Sequence, residues 1–212
     1  NQSYGVLKWA MSMDGRIGLK NGKSKWITDD YSRSVVHSLR ADFDAIVVGG
    51  NTLRNDDPLL TSRGKKDPEP LRVVFTKTLN FPQERNLWKS NIAKTLIVYD
   101  GSSADEKHLK NLPKSVEIVK VSSDNPKLLS QLLAKRGLNK ILWECGPTLA
   151  TSAFKNGCIQ EIITFLAPKI LGGPASMTPF ADFGFEDMNE VKILNKNKIQ
   201  FFGDDICLRN FT

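Results

Sequence analysis

The chain has 212 residues, of which 40% are hydrophobic and 25% are charged, and its formal net charge is +7. Because domains contain roughly 100–200 residues, this length predicts a single domain, and the balanced composition disfavours intrinsic disorder. The longest nearly apolar runs, at 45–50 and 162–168, are far shorter than the ~20 residues that span a bilayer, so we expect no membrane segment.

The number and spacing of the cysteines and histidines limit which disulfide and metal sites the chain can form. The three cysteines, Cys145, Cys158 and Cys207, are far apart without CxxC spacing, and the chain has two histidines. This pattern disfavours a disulfide framework, predicts no metal, and favours a reducing, cytoplasmic compartment. The N-terminus lacks the features of a signal peptide and does not begin with Met, so we expect the numbering to start inside a longer chain.

The positive charge is spread along the chain. Residues 1–66 and 67–143 carry net charges of +4 and +5, whereas residues 144–212 carry −2. No basic stripe is interleaved with aromatic residues, as a nucleic-acid groove requires. The charge therefore indicates solvated surface lysines rather than a nucleic-acid partner.

Hydrophobic periodicity predicts strands and helices in alternation. The first strand is expected at 5–10, and a helix with Thr28 as its N-cap is expected to end near Asp42, because apolar residues recur there at helical spacing. A short apolar run at 45–48 ending in Gly49-Gly50 is typical of a buried parallel strand with a tight turn after it.

The later elements complete the fold class. Further strands are expected at 72–75, 95–99, 116–119, 140–143 and 161–166, with two helical stretches between 105 and 137 and a helix at 148–155 opened by Gly146-Pro147 and closed by Asn156-Gly157. Antiparallel strands are expected at 191–194, 199–202 and 206–208, joined by turns at 195–197 and 203–204. This order predicts a three-layer α/β domain with a mixed, mostly parallel sheet flanked by helices.

Polar segments follow several predicted strands, where α/β folds bind ligands. The segment 8–15 (KWAMSMDG) is either such a site or a surface hairpin. The segment 49–63 (GGNTLRNDDPLLTSR) offers glycines for close backbone approach, helix-opening amides for an anion, and Arg63 for a phosphate. Its Asp-Asp-Pro run is also a common turn composition.

The segment 143–149 (WECGPTL) places Glu144 at a strand end, as an acid or a hydrogen-bond acceptor, before a helix start suited to phosphate. It is not the GxGxxG fingerprint. Arg40 either complements the end of its helix or contacts a ligand. We expect the segment 167–173 to form a glycine turn, and Cys145, which has no partnering His in its segment, to be inert.

Five segments together resemble the reductase domain of the bacterial-type bifunctional riboflavin biosynthesis deaminase/reductase. They are AMSMDGRIG, GKSKWIT, HSLRADFDAIVVGGNTLRNDDPLLTSR, WECGPTLA and LAPKILGG, and the similarity covers about residues 5–210. The resemblance implies a dihydrofolate reductase-like fold over residues 1–212. We expect a deaminase domain before it in the full-length protein, and the alternative is a stand-alone form. The resemblance also implies NADPH-dependent reduction of the ribosyl group of 5-amino-6-(5-phosphoribosylamino)uracil to a ribityl chain.

The resemblance further implies site residues. The contacts of the nicotinamide cofactor would fall on Ala10, Trp26, Thr52, Asp56, Gly146, Pro147, Thr148, Leu149, Ala150, Thr151 and Ser152. The substrate contacts would fall on Lys8, Ser24, Arg40, Leu60, Arg63 and Glu144. Where relatives read Asp-Ser after a strand, this chain has Phe75-Thr76-Lys77, so Lys77 is a candidate for the extra phosphate of NADPH.

The implied chemistry needs a proton donor, and Asp56 and Glu144 are the candidate catalytic residues. We expect Asp56 to lie nearest the reacting ribose and Glu144 to orient the substrate. The implied partners are NADPH and a small phosphorylated pyrimidine, with no nucleic acid and no membrane. By analogy with relatives we expect a homodimer, located in the cytoplasm, or in the plastid if the source is a plant.

Two other functions stay open from the sequence. One is a related reductase that acts on the diaminopyrimidinone before deamination, or on dihydrofolate. The other is a non-catalytic domain that binds a nucleotide or a phosphosugar.

Overall fold

The computed structural model describes residues 1–89, 91 and 93–212, and in this part of the chain a single nine-stranded sheet is present. The strands are β1 (Tyr4–Ser12), β2 (Ala45–Gly49), β3 (Leu71–Thr76), β4 (Thr95–Asp100), β5 (Glu117–Val121), β6 (Lys140–Trp143), β7 (Glu161–Ala167), β8 (Asn195–Phe202) and β9 (Asp205–Phe211). Their order is β5-β4-β3-β2-β6-β1-β7-β9-β8. Strands β1 to β7 pair in parallel, whereas β9 is antiparallel to β7 and to β8. The predicted mixed, mostly parallel sheet is therefore confirmed.

The helices are α1 (Asp30–Arg40), α2 (Gly50–Asp56), α3 (Asn86–Lys89), α4 (Pro126–Lys135) and α5 (Pro147–Lys155), with 3-10 helices at Glu106–Asn111 and Met188–Glu190. Within the described ranges no helix has both the length and the apolar character of a membrane span.

The central strands bury side chains on both faces of the sheet, because successive residues of a strand point to opposite sides. Val6 and Ile46 pack on the face that α1 covers through Val36. Leu7 and Val47 pack on the opposite face, against Leu129 of α4 and buried alanines of α5. The central strands are near-continuous apolar runs because both faces of the sheet are buried. The three predicted layers are confirmed.

Several predicted boundaries are wrong in an instructive way. The N-cap of α1 is Asp29, not Thr28, because the Asp29 carboxylate accepts a hydrogen bond of 2.7 Å from the backbone N–H of Ser32. The first helical stretch after residue 105 is only a 3-10 helix, which ends before Pro113, a residue that disfavours helix just before it.

The C-terminal region also differs from expectation. Residues 191–194 do not form a strand, and 195–197, predicted as a turn, belong to β8. An edge strand pairs on one side only, and the register shift between Asn195 and Lys198 lets a polar run join the ladder. The turn at 203–204 is confirmed.

Candidate active site

A cleft of about 1280 Å³ lies at the C-terminal ends of β1, β2, β3 and β6. The sheet places β6 between β1 and β2, so the chain leaves neighbouring strands in different directions at this edge. In open α/β sheets a crevice forms at such a switch point and binds ligands. The polar segments that follow β2 and β6 therefore meet at one site, although about a hundred residues separate them in the chain.

The centre of the cleft is an ion pair between Arg40 at the end of α1 and Glu144 just after β6. Nε of Arg40 lies 2.7 Å from Oε1 of Glu144 and Nη2 lies 3.1 Å from Oε2, so the contact is bidentate. Nζ of Lys8 stands 4.0 Å from the same carboxylate. Burial alone would raise the pKa of Glu144, but Arg40 and Lys8 lower it to about 2. The two cations therefore favour the anionic, hydrogen-bond-accepting form of Glu144.

His37 joins this centre, and sequence reasoning missed it as a site residue. Nη1 of Arg40 donates to Nδ1 of His37 at 3.3 Å. Burial, with Arg40 and Arg63 nearby, lowers the pKa of His37 to about 4, so the ring stays neutral near neutral pH. The sequence does contain a signal for His37: Arg33, His37 and Arg40 are spaced so that they share one face of α1. In the structure all three residues line the cleft.

Asp56, the last residue of α2, lies on the opposite side of the cleft. Its carboxylate accepts a hydrogen bond of 3.3 Å from the Ser24 hydroxyl, and Nζ of Lys25 donates to its backbone carbonyl at 2.8 Å. Burial raises the pKa of Asp56 above its ordinary range. The two candidate carboxylates thus occupy different environments, and only Asp56 is shifted toward holding a proton.

The loop that follows α2 brings Leu60 and Arg63 to the cleft in left-handed backbone conformations, with φ of 55° and 57°. Arg40 donates to the Thr61 carbonyl at 3.1 Å. On the other side of the loop, Glu69 accepts from the backbone N–H groups of Ser62 and Gly64. The Arg63 side chain is exposed and makes no ion pair with any residue that the structure describes.

The N-terminus of α5 forms another wall. Gly146 is its N-cap, has no side chain to cap the helix, and a Cβ there would meet no atom within 4 Å. The first helical hydrogen bond runs from Ala150 to the Gly146 carbonyl, so the amides of Thr148 and Leu149 precede the helical ladder. Because both residues line the cleft, this end of α5 suits an anion such as a pyrophosphate.

Most of the predicted site residues share the cleft, and two do not. Those that line it are Lys8, Ala10, Ser24, Trp26, Arg40, Thr52, Asp56, Leu60, Arg63, Glu144, Gly146, Pro147, Thr148, Leu149 and Ser152. Ala150 is fully buried in the core, and the Thr151 hydroxyl accepts from the backbone N–H of Ala181 at 2.9 Å. Ala150 packs in the core and Thr151 faces the backbone of Ala181, so neither side chain points into the cleft.

Trp26, Lys77 and Cys145 also line the cleft. Trp26 is 63% exposed, with the Arg33 guanidinium 4.5 Å from its ring centre. Lys77 also lines the rim, but it pairs with Asp124 at 2.7 Å. Burial raises the pKa of Cys145 to about 12, which supports its expected inertness.

In the described part of the chain no group of three His, Cys, Asp or Glu side chains is placed to hold a metal ion.

Comparisons with known proteins agree on one family. The sequence matches the RibD C-terminal domain over residues 3–208. It is 38% identical over 203 residues to the riboflavin biosynthesis protein RibD of Synechocystis, covering 95% of this chain and 55% of that protein. It is 36% identical over 208 residues to the chloroplastic riboflavin biosynthesis protein PYRR of Arabidopsis thaliana, covering 98% of this chain and 35% of that protein. The chain spans about half the length, or less, of these relatives.

Solved structures show the same fold. Acinetobacter baumannii RibD, at 27% identity, superposes with a TM-score of 0.83 over 99% of this chain and 58% of that one. Dihydrofolate reductase from Enterococcus faecalis, at 10% identity, gives a TM-score of 0.50 over 99% of this chain and 96% of that one, and bears on the fold alone. The motifs, the sheet order and the match over 3–208 together show that this chain belongs to the RibD C-terminal domain family.

Proposed function

We propose that this chain is an NADPH-dependent oxidoreductase of riboflavin biosynthesis. Its reaction would reduce the ribosyl group of 5-amino-6-(5-phosphoribosylamino)uracil to a ribityl chain. The observation that carries the proposal is a single cleft that joins an anion-binding helix start, an unpaired arginine, and two carboxylates with opposite pKa shifts. Family membership and the names of the relatives give independent support.

The cofactor fits the wall made by α2 and α5. The free amides of Thr148 and Leu149 would hold its pyrophosphate, and the absence of a side chain on Gly146 leaves room for it. Arg54 and Lys77 line the same cleft, so a second anionic group such as the extra phosphate of NADPH would meet cations. When bound, NADPH would supply the hydride that C1′ of the ring-opened ribosylamine accepts.

The substrate fits the wall made by α1 and the loop after α2. Arg63 would bind its 5′-phosphate, because a guanidinium matches a phosphate in charge and geometry. The anionic Glu144, held in place by Arg40, would accept hydrogen bonds from the substrate and fix its orientation.

Asp56 would deliver the proton that the reaction needs. Hydride addition at C1′ of the imine leaves the nitrogen to take up one proton. A carboxyl group whose pKa is raised toward the working pH can give it, whereas Glu144, with a pKa of about 2, cannot.

Assaying the purified chain tests the proposal. NADPH oxidation is followed with phosphoribosylaminouracil, with its diaminopyrimidinone precursor and with dihydrofolate, each in separate reactions, and the product is identified by mass spectrometry. We expect turnover with the uracil compound to give the ribityl product. Preference for the precursor or for dihydrofolate would assign the chain to another reductase, and binding without turnover with all three would indicate a non-catalytic domain.

We also propose that the chain forms a homodimer. Strand pairing places Ile199 and Phe201 of β8 on one face with Leu208 and Ile206 of β9, and Ile199 and Phe201 are 62% and 71% exposed. An apolar sheet face of this kind suits a second copy. Light scattering after gel filtration tests it, and a monomer in solution would contradict it.

For location, we propose the cytoplasm, or the plastid in a plant source, as the chloroplastic names of PYRR from Arabidopsis and maize suggest.

A further inference from the structure

We propose that Glu69 is a positioning residue that presents Arg63 to the phosphate of the substrate. The inference rests on the function proposed above and adds a residue that no sequence motif singled out. Glu69 does not line the catalytic cleft, so it would act through the loop that carries Arg63.

The first observation is the geometry of the Glu69 carboxylate. Oε2 accepts from the backbone N–H of Ser62 at 2.6 Å, and Oε1 accepts from the backbone N–H of Gly64 at 2.7 Å. The two donors flank Arg63, so one carboxylate holds the backbone on both sides of it. Burial would raise the pKa of Glu69, but these hydrogen bonds lower it, which keeps the carboxylate charged.

The second observation is the backbone that this carboxylate holds. Arg63 has φ of 57° and Gly64 has φ of 77°. A non-glycine residue seldom adopts the left-handed region, so this conformation needs support from its surroundings. Glu69 supplies this support, because its carboxylate accepts the backbone N–H groups on both sides of Arg63.

The third observation is that the loop is held from both sides. Arg40 donates to the Thr61 carbonyl from the cleft side, and Glu69 accepts from the far side. The guanidinium of Arg63 is left without an ion pair among the described residues. A fixed backbone with an unpaired arginine is what a phosphate site requires, because the cost of ordering the side chain for a ligand falls when its backbone is already fixed.

A thermodynamic cycle tests the proposal, using Glu69→Gln, Arg63→Ala and the double variant. The readouts are KM for phosphoribosylaminouracil, kcat, and calorimetric dissociation constants for NADPH and for ribose 5-phosphate. We expect Glu69→Gln to raise the substrate KM and the ribose 5-phosphate constant about tenfold, with kcat and NADPH affinity unchanged. Because Glu69 acts through Arg63, the double variant is expected to bind no more weakly than Arg63→Ala alone.

Two further variants keep the test decisive. Glu186→Gln removes an exposed carboxylate that does not line the cleft, and it is expected to match the wild type. Glu69→Asp keeps the charge with one methylene less, and it is expected to recover part of the affinity. It also serves as the probe if Glu69→Gln fails to fold.

Three results would overturn the proposal: additive losses in the double variant, equal weakening of NADPH and of the phosphorylated ligands, or a wild-type chain that prefers ribose to ribose 5-phosphate. If the wild type turns over no pyrimidine, the proposed function fails, while the ribose 5-phosphate cycle still decides the role of Glu69.

Discussion

Arg40 and Glu144 lie 104 positions apart in the sequence and meet in a bidentate ion pair whose side chains are each 12% exposed. The pairing exists because β6 inserts between β1 and β2 and brings its C-terminal end beside the end of α1. The ion pair fixes the orientation of both side chains and pairs two charges that are largely buried. The low pKa of Glu144 follows from this arrangement, and Arg40 also holds the Thr61 carbonyl of the loop that carries Arg63.

The first prediction concerns the proton donor. Asp56→Asn keeps the shape of the side chain but cannot give a proton, so kcat is expected to fall at least about 100-fold. The calorimetric dissociation constant for NADPH is expected to stay within about twofold of the wild type. Asp204→Asn, at the exposed β8–β9 turn, is the control. Near-normal turnover in the Asp56 variant would remove this residue from the mechanism.

The second prediction concerns the phosphate. Arg63→Ala removes the unpaired guanidinium from the cleft rim, and KM for the phosphorylated substrate is expected to rise at least about tenfold. NADPH binding is expected to change little, because α5 and not this loop would hold the cofactor. Arg136→Ala serves as the control, since Arg136 pairs with Glu117 away from the cleft. Equal weakening of both ligands would count against the assigned role.

The third prediction is a pH dependence of stability. The pKa of Glu144 is about 2 in the folded chain and ordinarily 4.5, so its stabilising contribution is complete above about pH 4.5 and disappears as the pH falls toward 2. At neutral pH, Glu144→Gln is expected to lower the free energy of unfolding by about 3 kcal/mol. Urea denaturation at several pH values measures the difference from wild type, which should shrink on acidification. A difference that stays constant with pH would contradict the assignment.

The fourth prediction concerns the choice of cofactor. Lys77→Ala is expected to weaken NADPH about fivefold and NADH hardly at all, since one exposed charged contact contributes about 1 kcal/mol. Asp124→Ala should have the opposite effect on NADPH, because it releases Lys77 from its ion pair. Calorimetric titration with each cofactor measures both effects, and Lys20→Ala is the control. Equal responses of NADPH and NADH would assign the extra phosphate to another residue.

The fifth prediction separates two glycines of the site. A Cβ on Gly50 would lie 2.4 Å from Oγ1 of Thr76, whereas a Cβ on Gly146 would meet no atom within 4 Å. Gly50→Ala is therefore expected to lower the free energy of unfolding by about 1–3 kcal/mol. Gly146→Ala should cost less than about 1 kcal/mol of stability, as an N-cap change without a clash, and should weaken NADPH binding, because the new methyl group would occupy space at the proposed anion site of α5. Urea denaturation and calorimetry distinguish the two outcomes, and the reverse pattern would refute this account.

Local hydrophobic patterns in the sequence predicted most of the strands of the sheet. The strand at 140–143 is confirmed to the residue, and the other central strands differ by one or two residues, because buried parallel strands are continuous apolar runs. Such signals are weaker at the edge of the sheet. The predicted turn at 195–197 is wrong, since pairing with β9 decided the conformation of a polar run.

For the candidate site, too, part could be predicted from the sequence and part could not. The sequence by itself determined which residue types were available, namely a glycine pair, a carboxylate after each of two strands, and Arg63 in a polar loop, because each belongs to a short contiguous motif. Only the tertiary structure decided the surroundings of these residues. It lowers the pKa of Glu144 and raises that of Asp56, places His37 beside Arg40 and Glu69 against the loop that carries Arg63, and buries Ala150 and Thr151. The physical reason is that burial and electrostatic interaction depend on distances in space, and those distances follow from the order of strands in the sheet.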